Sequence, residues 1–130
     1  GSTVTLNGTI KTSNDALTLG AVTLGSDTTL DTDATTTTGD IVIGAVTGGG
    51  FNLTIETGAS IANADVTGTS ITNLGTLTLQ NIGGTASFTG TLATLSAISV
   101  NNTVANLSLT GNGNIVTASF APTNTGTQPR

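Results

Sequence analysis

The amino-acid sequence predicts an all-β fold: a right-handed parallel β-solenoid with little or no helix. Three observations support this prediction. Apolar and polar residues alternate in short bursts, one segment repeats another, and the 130 residues include three Phe but no Trp or Tyr. A narrow solenoid interior needs small and β-branched side chains, whereas a β-sandwich, the alternative fold, usually fills its inter-sheet space with large residues. We expect Phe51, Phe88 and Phe120 to fill the core or the coil ends.

Apolar residues at alternate positions mark the expected strands. This spacing is the period of a strand with one buried face. Each burst ends within a few residues at Gly, Asn or Asp, which favour turns. Thr, which is restricted at χ1, disfavours helix in between. In chain order the apolar bursts are Val4 and Leu6, Leu17 and Leu19, Val22 and Leu24, Ile41 and Ile43, Leu53 and Ile55, Leu77 and Leu79, Leu92 followed three residues later by Leu95, Ile98 and Val100, and Leu107 and Leu109.

An internal repeat indicates stacked coils. Residues 17–23 (LTLGAVT) match residues 41–47 (IVIGAVT) at an offset of 24, and residues 29–34 match residues 54–59 after one added residue. A weaker third copy begins at Leu77, 36 residues after Ile41. Strands that recur at such a period are typical of a solenoid. Coils of about 20 to 25 residues would give five or six rungs and a body roughly 25 to 30 Å long, with apolar ladders near Leu19, Ile43, Ile55 and Leu79.

The chain is predicted to hold one solenoid domain, residues 3–120. Residues 121–130 contain two Pro and no apolar alternation, so they are interpreted as a linker or extended tail. Residues 1–2 (GS) are interpreted as a remnant of processing or cloning.

The composition argues against most enzyme chemistry. The sequence has no His, Cys or Tyr, so the usual general bases and thiol nucleophiles are absent. Two basic residues and a net charge of -5 do not suit binding to the phosphate backbone of a nucleic acid. No apolar run approaches the roughly 20 residues that span a bilayer. We therefore predict a non-enzymatic protein without a cofactor, which neither binds nucleic acid nor spans a membrane.

Two groups of side chains are candidate sites. Asp27, Asp31, Asp33 and Asp40 lie within fourteen residues and carry the oxygen ligands that Ca²⁺ prefers. No known calcium-binding repeat surrounds them, so a solvated loop is the preferred interpretation and they stay weak metal candidates. Lys11, the single lysine, invites comparison with crosslinking lysines of surface adhesins, but its polar neighbours do not favour the burial that such a reaction needs.

Threonine is the commonest residue, and pairs of the form Thr-x-Thr recur. A regular Thr array on a solenoid face is one way of binding ice. These pairs, however, do not keep one coil period, and Thr on a strand surface is the simpler interpretation. The pairs are Thr3 and Thr5, Thr67 and Thr69, Thr76 and Thr78, and Thr89 and Thr91.

Several segments resemble the Thr/Gly-rich β-strand repeats of large bacterial surface proteins, namely filamentous haemagglutinins and autotransporter adhesins. The resemblance covers about residues 3 to 120 and implies an exported, cell-surface or extracellular location. It carries no catalytic residue. The segments are residues 7–10 (NGTI), 17–30 (LTLGAVTLGSDTTL), 39–41 (GDI), 48–55 (GGGFNLTI) and 74–79 (LGTLTL).

The sequence and this resemblance lead to two functional hypotheses. The first is a structural module of an adhesin or surface fibre, which acts as a stalk or spacer and has neighbouring repeats, and a receptor on its outer face, as partners. The second is a self-assembling subunit of an extracellular filament or sheath, joined to copies of itself by strand addition at its edges or tail.

Overall fold

A computed structural model describes residues 2–36, 39–58, 60–101, 104–110 and 117–122 of the chain. All regular elements in these ranges are strands. They are β1 (Val4–Lys11), β2 (Leu17–Leu19), β3 (Val22–Asp31), β4 (Ile41–Ile43), β5 (Val46–Thr47), β6 (Leu53–Glu56), β7 (Val66–Gly68), β8 (Ile71–Leu79), β9 (Thr85–Phe88), β10 (Leu92–Val100), β11 (Asn106–Leu109) and β12 (Thr117–Pro122).

The strands form two parallel sheets through which the chain passes alternately. Sheet A has the order β1-β3-β5-β8-β10-β12, with β6 also beside β3 and β8, and sheet B has the order β2-β4-β7-β9-β11. Each inner strand thus pairs with the strand one coil earlier and the strand one coil later, whereas β1, β2, β11 and β12 stand at the ends of the described sheets. The described residues form about five stacked coils, which confirms the parallel β-solenoid and excludes the β-sandwich. At about 4.8 Å per rung, five steps from β1 to β12 span about 24 Å.

Sheet A is divided into two limbs. The register of β1 on β3 shifts between Leu6 and Gly8, and in the third coil the two limbs are the separate strands β5 and β6. The first limb is the part of sheet A that begins with Val4 and the residues paired with it in later coils. The second limb is the part that ends with Lys11 and the residues paired with it in later coils. The backbone between them uses left-handed conformations, which glycine and asparagine tolerate best. These are Gly8 (φ 76°), Gly49 (φ 62°), Gly50 (φ 87°) and Asn73 (φ 53°).

Apolar ladders line the interior. On the second limb Leu30, Ile55 and Leu79 lie in register and are fully buried. On sheet B, Ile43 continues a ladder that begins with the half-buried Leu19. These are the ladders that the sequence predicts. Each buried side chain contributes about 1.5 to 3 kcal/mol relative to full exposure.

A glycine and a phenylalanine share one layer of the core. Gly68 pairs with Phe88 in the sheet B ladder, and a Cβ on Gly68 would lie 2.4 Å from Cδ1 and Cε1 of the phenyl ring. Phe88 is 1% exposed, so its predicted core position is confirmed. The core prediction is wrong for Phe51, which is 37% exposed and lies beside Gly49 where the limbs meet. The side chain of Phe120 lies outside the described residues.

The internal repeat is confirmed for two copies and corrected for the third. Leu17 pairs with Ile41 at the predicted offset, and Thr29 pairs with Thr54. Leu77, however, pairs with Leu53, 24 residues earlier, whereas Ile41 pairs with Val66. The coil length nevertheless varies. On the first limb, successive paired positions are 18, 24, 25 and 21 residues apart, at Val4, Val22, Val46, Ile71 and Leu92.

The last strand, β12, runs through Ala121 and Pro122. The predicted tail begins at residue 121, so its first two residues are strand residues. Residues 123–130 lie outside the described residues, as does Gly1.

Candidate functional site

The outer surface carries side-chain ladders that follow the coils. On the first limb, Thr5, Thr23, Thr47 and Thr72 occupy successive rungs. On the second limb a second column contains Thr9, Thr29, Thr54 and Thr78, followed by Ser99. Thr suits a half-exposed strand surface because its branched side chain packs against the same residue on the next rung. The solenoid therefore presents hydroxyl groups at the spacing of its coils.

A polar ladder joins three coils where the limbs meet. The Asp27 carboxylate accepts hydrogen bonds from the Asn52 backbone N–H (2.9 Å) and from its side-chain Nδ2 (3.2 Å). The Asn52 side-chain oxygen in turn accepts a hydrogen bond from the Thr76 backbone N–H at 2.8 Å. These side chains satisfy backbone donors at the joint, where the strand pairing is irregular.

A second ladder of carboxylates precedes the strands of sheet B. Asp40 accepts a hydrogen bond from the Asp65 backbone N–H at 3.0 Å, and Asp65 accepts one from the Thr85 backbone N–H at 2.7 Å. Both bonds are partly buried and involve an ionisable acceptor, which makes them stronger than bonds between neutral groups. They fix the start of β7 and β9 against the preceding coil.

The third ladder runs along the end of the second limb. Lys11 Nζ lies 3.0 Å from Asp31 Oδ2 and 3.4 Å from Asp33 Oδ2. The following rungs are joined by side-chain hydrogen bonds from Gln80 to Glu56 (3.2 Å) and from Asn101 to Gln80 (3.1 Å). Ionic groups are thus collected at one edge of the second limb.

These contacts set the protonation of Lys11. Its hydrogen bond with Asp31, and then the charges of Asp31 and Asp33, raise the pKa of the amine above its ordinary value of 10.5. The Lys11 side chain is 53% exposed, and a protonated, exposed amine is not a nucleophile. Its geometry is that of an ion pair.

We expect Lys11→Gln to lower the melting temperature slightly at neutral pH. Because the folded chain holds the Lys11 proton more tightly than the unfolded chain, the ion pairs stabilise the fold below the unfolded pKa. This contribution is lost as the pH rises through the raised folded pKa. The check is the difference in melting temperature between the wild type and Lys11→Gln, measured at neutral pH and in strong alkali. High salt should shrink the neutral-pH difference, and a difference that grows in alkali would contradict the assignment.

Buried threonines close the corners that follow the second limb. Thr32 and Thr57 are fully buried and donate hydrogen bonds from their hydroxyls to the carbonyls of Gly39 and Ala64. Thr12, in the first coil, donates in the same way to the carbonyl of Asp15. We call these three the Thr corners. Each hydroxyl joins the two ends of one corner, which keeps the second limb and sheet B together.

We expect Thr57→Val to lower the free energy of unfolding by about 1 kcal/mol, because the buried Ala64 carbonyl loses its hydroxyl donor and keeps the hydrogen bond from the Gly84 backbone N–H. The matched control is Thr54→Val, at a half-buried outward position of the same coil, which should change stability by less than about 0.5 kcal/mol. Urea denaturation monitored by circular dichroism measures both. Equal effects would show that the Thr57 hydroxyl has no special role.

The four acids that are weak metal candidates are divided among three different partners. Asp31 and Asp33 contact Lys11, Asp27 contacts Asn52, and Asp40 contacts the Asp65 backbone. Among the described residues, no group of three acidic side chains is arranged to hold a metal ion. The same part of the chain contains no pocket.

Comparison with known proteins finds no match to this chain. The chain matches no protein-family model, no curated protein and no solved structure. In the described portion no helix has the length and apolar character needed to cross a membrane.

Proposed function

We propose that this chain is a structural, non-enzymatic module of an exported bacterial adhesin or surface fibre, placed at the cell surface or outside the cell. The observation that carries the proposal is the uninterrupted parallel pairing of coil on coil in both sheets. In such a stack each coil contacts only its neighbours, so the length of the rod grows with the number of coils. The module serves as a stalk or spacer, with neighbouring repeats as partners.

Three features support stiffness. The buried ladders give each coil a share of one continuous core. The Asp27–Asn52–Thr76 and Asp40–Asp65–Thr85 ladders bind successive coils through backbone donors outside the core. The Thr corners close the first three coils. Adhesion would use the lateral faces, which carry short hydroxyl side chains.

Surface labelling tests the proposed location. An antibody raised against the 130-residue chain should label intact cells of the source organism, and external protease should remove the label. A cytoplasmic protein of the same cells is the control for lysis. Labelling that appears only after the cells are opened would contradict the proposal.

A self-assembling filament subunit is the second candidate. In the described part, β1 ends one side of sheet A and β2 one side of sheet B, so each has a paired neighbour on one side. Such an edge accepts another parallel strand, either from a preceding coil of a longer chain or from a second copy. Electron microscopy across a concentration series separates these cases. Long fibres of uniform width would favour the subunit, and dispersed short particles would favour the stalk module.

A further inference from the structure

Asn7 lies where the two limbs of the first coil meet and has no rung partner. The rung of Leu6 and Leu24 is followed by the rung of Gly8 and Thr28, so β1 has one residue between these rungs where β3 has three. Such an irregularity leaves the intervening residue outside the ladder. Asn7 and Gly8 are both exposed. The peptide that joins them is therefore less constrained than a peptide within a regular rung.

The Asn7 carboxamide lies against the next coil without a bond to hold it there. A Cβ on Gly25 would lie 2.4 Å from Asn7 Oδ1, so the missing side chain of Gly25 makes room for the carboxamide. No hydrogen bond joins this carboxamide to any other residue that the structure describes. Asn52 has the corresponding place two coils later, because a Cβ on Gly75 would lie 2.5 Å from Asn52 Oδ1.

The two asparagines differ in what restrains them. Asn52 Nδ2 donates a hydrogen bond to Asp27 (3.2 Å), and Asn52 Oδ1 accepts one from the Thr76 backbone N–H (2.8 Å). The residue that follows Asn52 is Leu53, which is fully buried. The residue that follows Asn7 is Gly8, which has φ 76° and nothing within 4 Å of the position that a Cβ would take.

We propose that Asn7 is a site of spontaneous deamidation. The backbone nitrogen of Gly8 attacks Asn7 Cγ and forms a new N–C bond. It loses its proton to solvent, and the carboxamide nitrogen leaves as ammonia. Water then opens the resulting succinimide ring at either carbonyl, which leaves aspartate or isoaspartate at position 7. Water is the one co-reactant.

The surroundings of Gly8 favour ring closure. Glycine has no side chain to obstruct the attack, and its backbone reaches conformations that other residues avoid. The Gly8 N–H donates a hydrogen bond to the Ser26 hydroxyl at 3.1 Å in an exposed contact. An oxygen that accepts a proton therefore already lies on the N–H bond that the attack must break.

Both products change the joint between the limbs. Each adds a carboxylate at an exposed position, and isoaspartate also moves the side-chain methylene into the main chain. The added atom falls at the point where the register of β1 on β3 already shifts, so we expect the rungs on both sides to remain paired. This inference goes beyond the stalk function and does not depend on it.

Proteolysis gives a separate readout for each asparagine. Cleavage after Lys11 by trypsin releases residues 1–11, in which Asn7 is the only asparagine. Cleavage after Asp40 and Glu56 by a protease specific for acidic residues releases residues 41–56, in which Asn52 is the only asparagine. The folded protein is incubated at neutral and at mildly alkaline pH, and each sample is then denatured and digested in mild acid, which stops the reaction.

Mass spectrometry follows the replacement of the carboxamide nitrogen by oxygen, and isoaspartyl methyltransferase with labelled S-adenosylmethionine detects isoaspartate. We expect the modified fraction of residues 1–11 to rise steadily, and faster in alkali because the attacking nitrogen must lose a proton. Residues 41–56 should stay unmodified over the same period. The variant Asn7→Gln, whose longer side chain disfavours ring closure, should stop the modification while circular dichroism shows that the fold is retained.

Two results would overturn the proposal. One is a peptide 1–11 that stays unmodified in the folded protein at both pH values. The other is modification of Asn52 as fast as that of Asn7, because the contacts that distinguish the two side chains would then have no effect on their reactivity.

Discussion

Replacing Phe88 with Ala should lower the free energy of unfolding by about 3 to 5 kcal/mol, the range for removing a buried phenyl ring. The ring is 1% exposed and occupies the space that Gly68 leaves in the coil before it. Its removal opens a cavity beside Gly68, which has no side chain to fill it. Urea denaturation followed by circular dichroism measures the loss. The control is Phe51→Ala, because Phe51 is 37% exposed; the loss there should be much smaller.

A double-mutant cycle tests why the ring is needed. Gly68→Ala alone should be destabilising by about 1 to 3 kcal/mol through overpacking, since its Cβ would lie 2.4 Å from the ring. In the Phe88→Ala background the same substitution should cost much less or become stabilising, because the added methyl enters the vacated space. Additive effects would mean that Gly68 and Phe88 do not share one layer.

Gly58→Ala should be the second severe substitution, with a loss of about 3 kcal/mol or more from conformational strain and overlap combined. Gly58 has φ 131°, and an added Cβ would lie 2.2 Å from the Ala34 carbonyl oxygen of the preceding coil. Both atoms in that overlap belong to or lie next to the backbone, so rotation of a side chain cannot relieve it. Differential scanning calorimetry or urea denaturation measures the effect.

Gly50→Ala separates the two causes. Gly50 also has a left-handed backbone, with φ 87°, but nothing lies within 4 Å of the position that an added Cβ would take. It should show only the conformational cost, about 1 to 3 kcal/mol. If Gly58→Ala were no more harmful than Gly50→Ala, contact between the coils at Gly58 would not be limiting.

The fold class can be predicted from the alternation of apolar and polar residues and from the internal repeat. The offset of the repeat, between residues 17–23 and 41–47, equals the step between neighbouring coils. The sequence repeat mispredicts the position of the third copy for a physical reason. The strand that pairs with β4 is Val66–Gly68, and its second inward position is Gly68, whose space is filled by Phe88 from the next coil. Apolar alternation is therefore missing from the sequence at that strand, although the packing is complete.

The ladders of the candidate site were harder to predict. Thr47 and Thr72 become neighbours only once the unequal coil lengths are known, so pairing by Thr-x-Thr spacing missed their column. Nothing in the sequence distinguishes the buried Thr32 and Thr57 from exposed threonines. The acids form a visible group in the sequence, but the partners of Asp27 and Asp40 come from the next coil and can be identified only once the register is known.

The Thr corners explain how coils of unequal length keep one register. The hydroxyl of Thr12 reaches a carbonyl three residues ahead, whereas those of Thr32 and Thr57 reach carbonyls seven residues ahead. The same closure thus encloses loops of different size, and each doubling of a flexible loop costs only about 0.6 kcal/mol. Insertions at these corners therefore cost little free energy, whereas an insertion within a strand shifts the side chains that follow it in that strand out of register. Sequence drift and engineered peptide grafts will be tolerated at the corners, where a foreign epitope can be displayed without disturbing the stack.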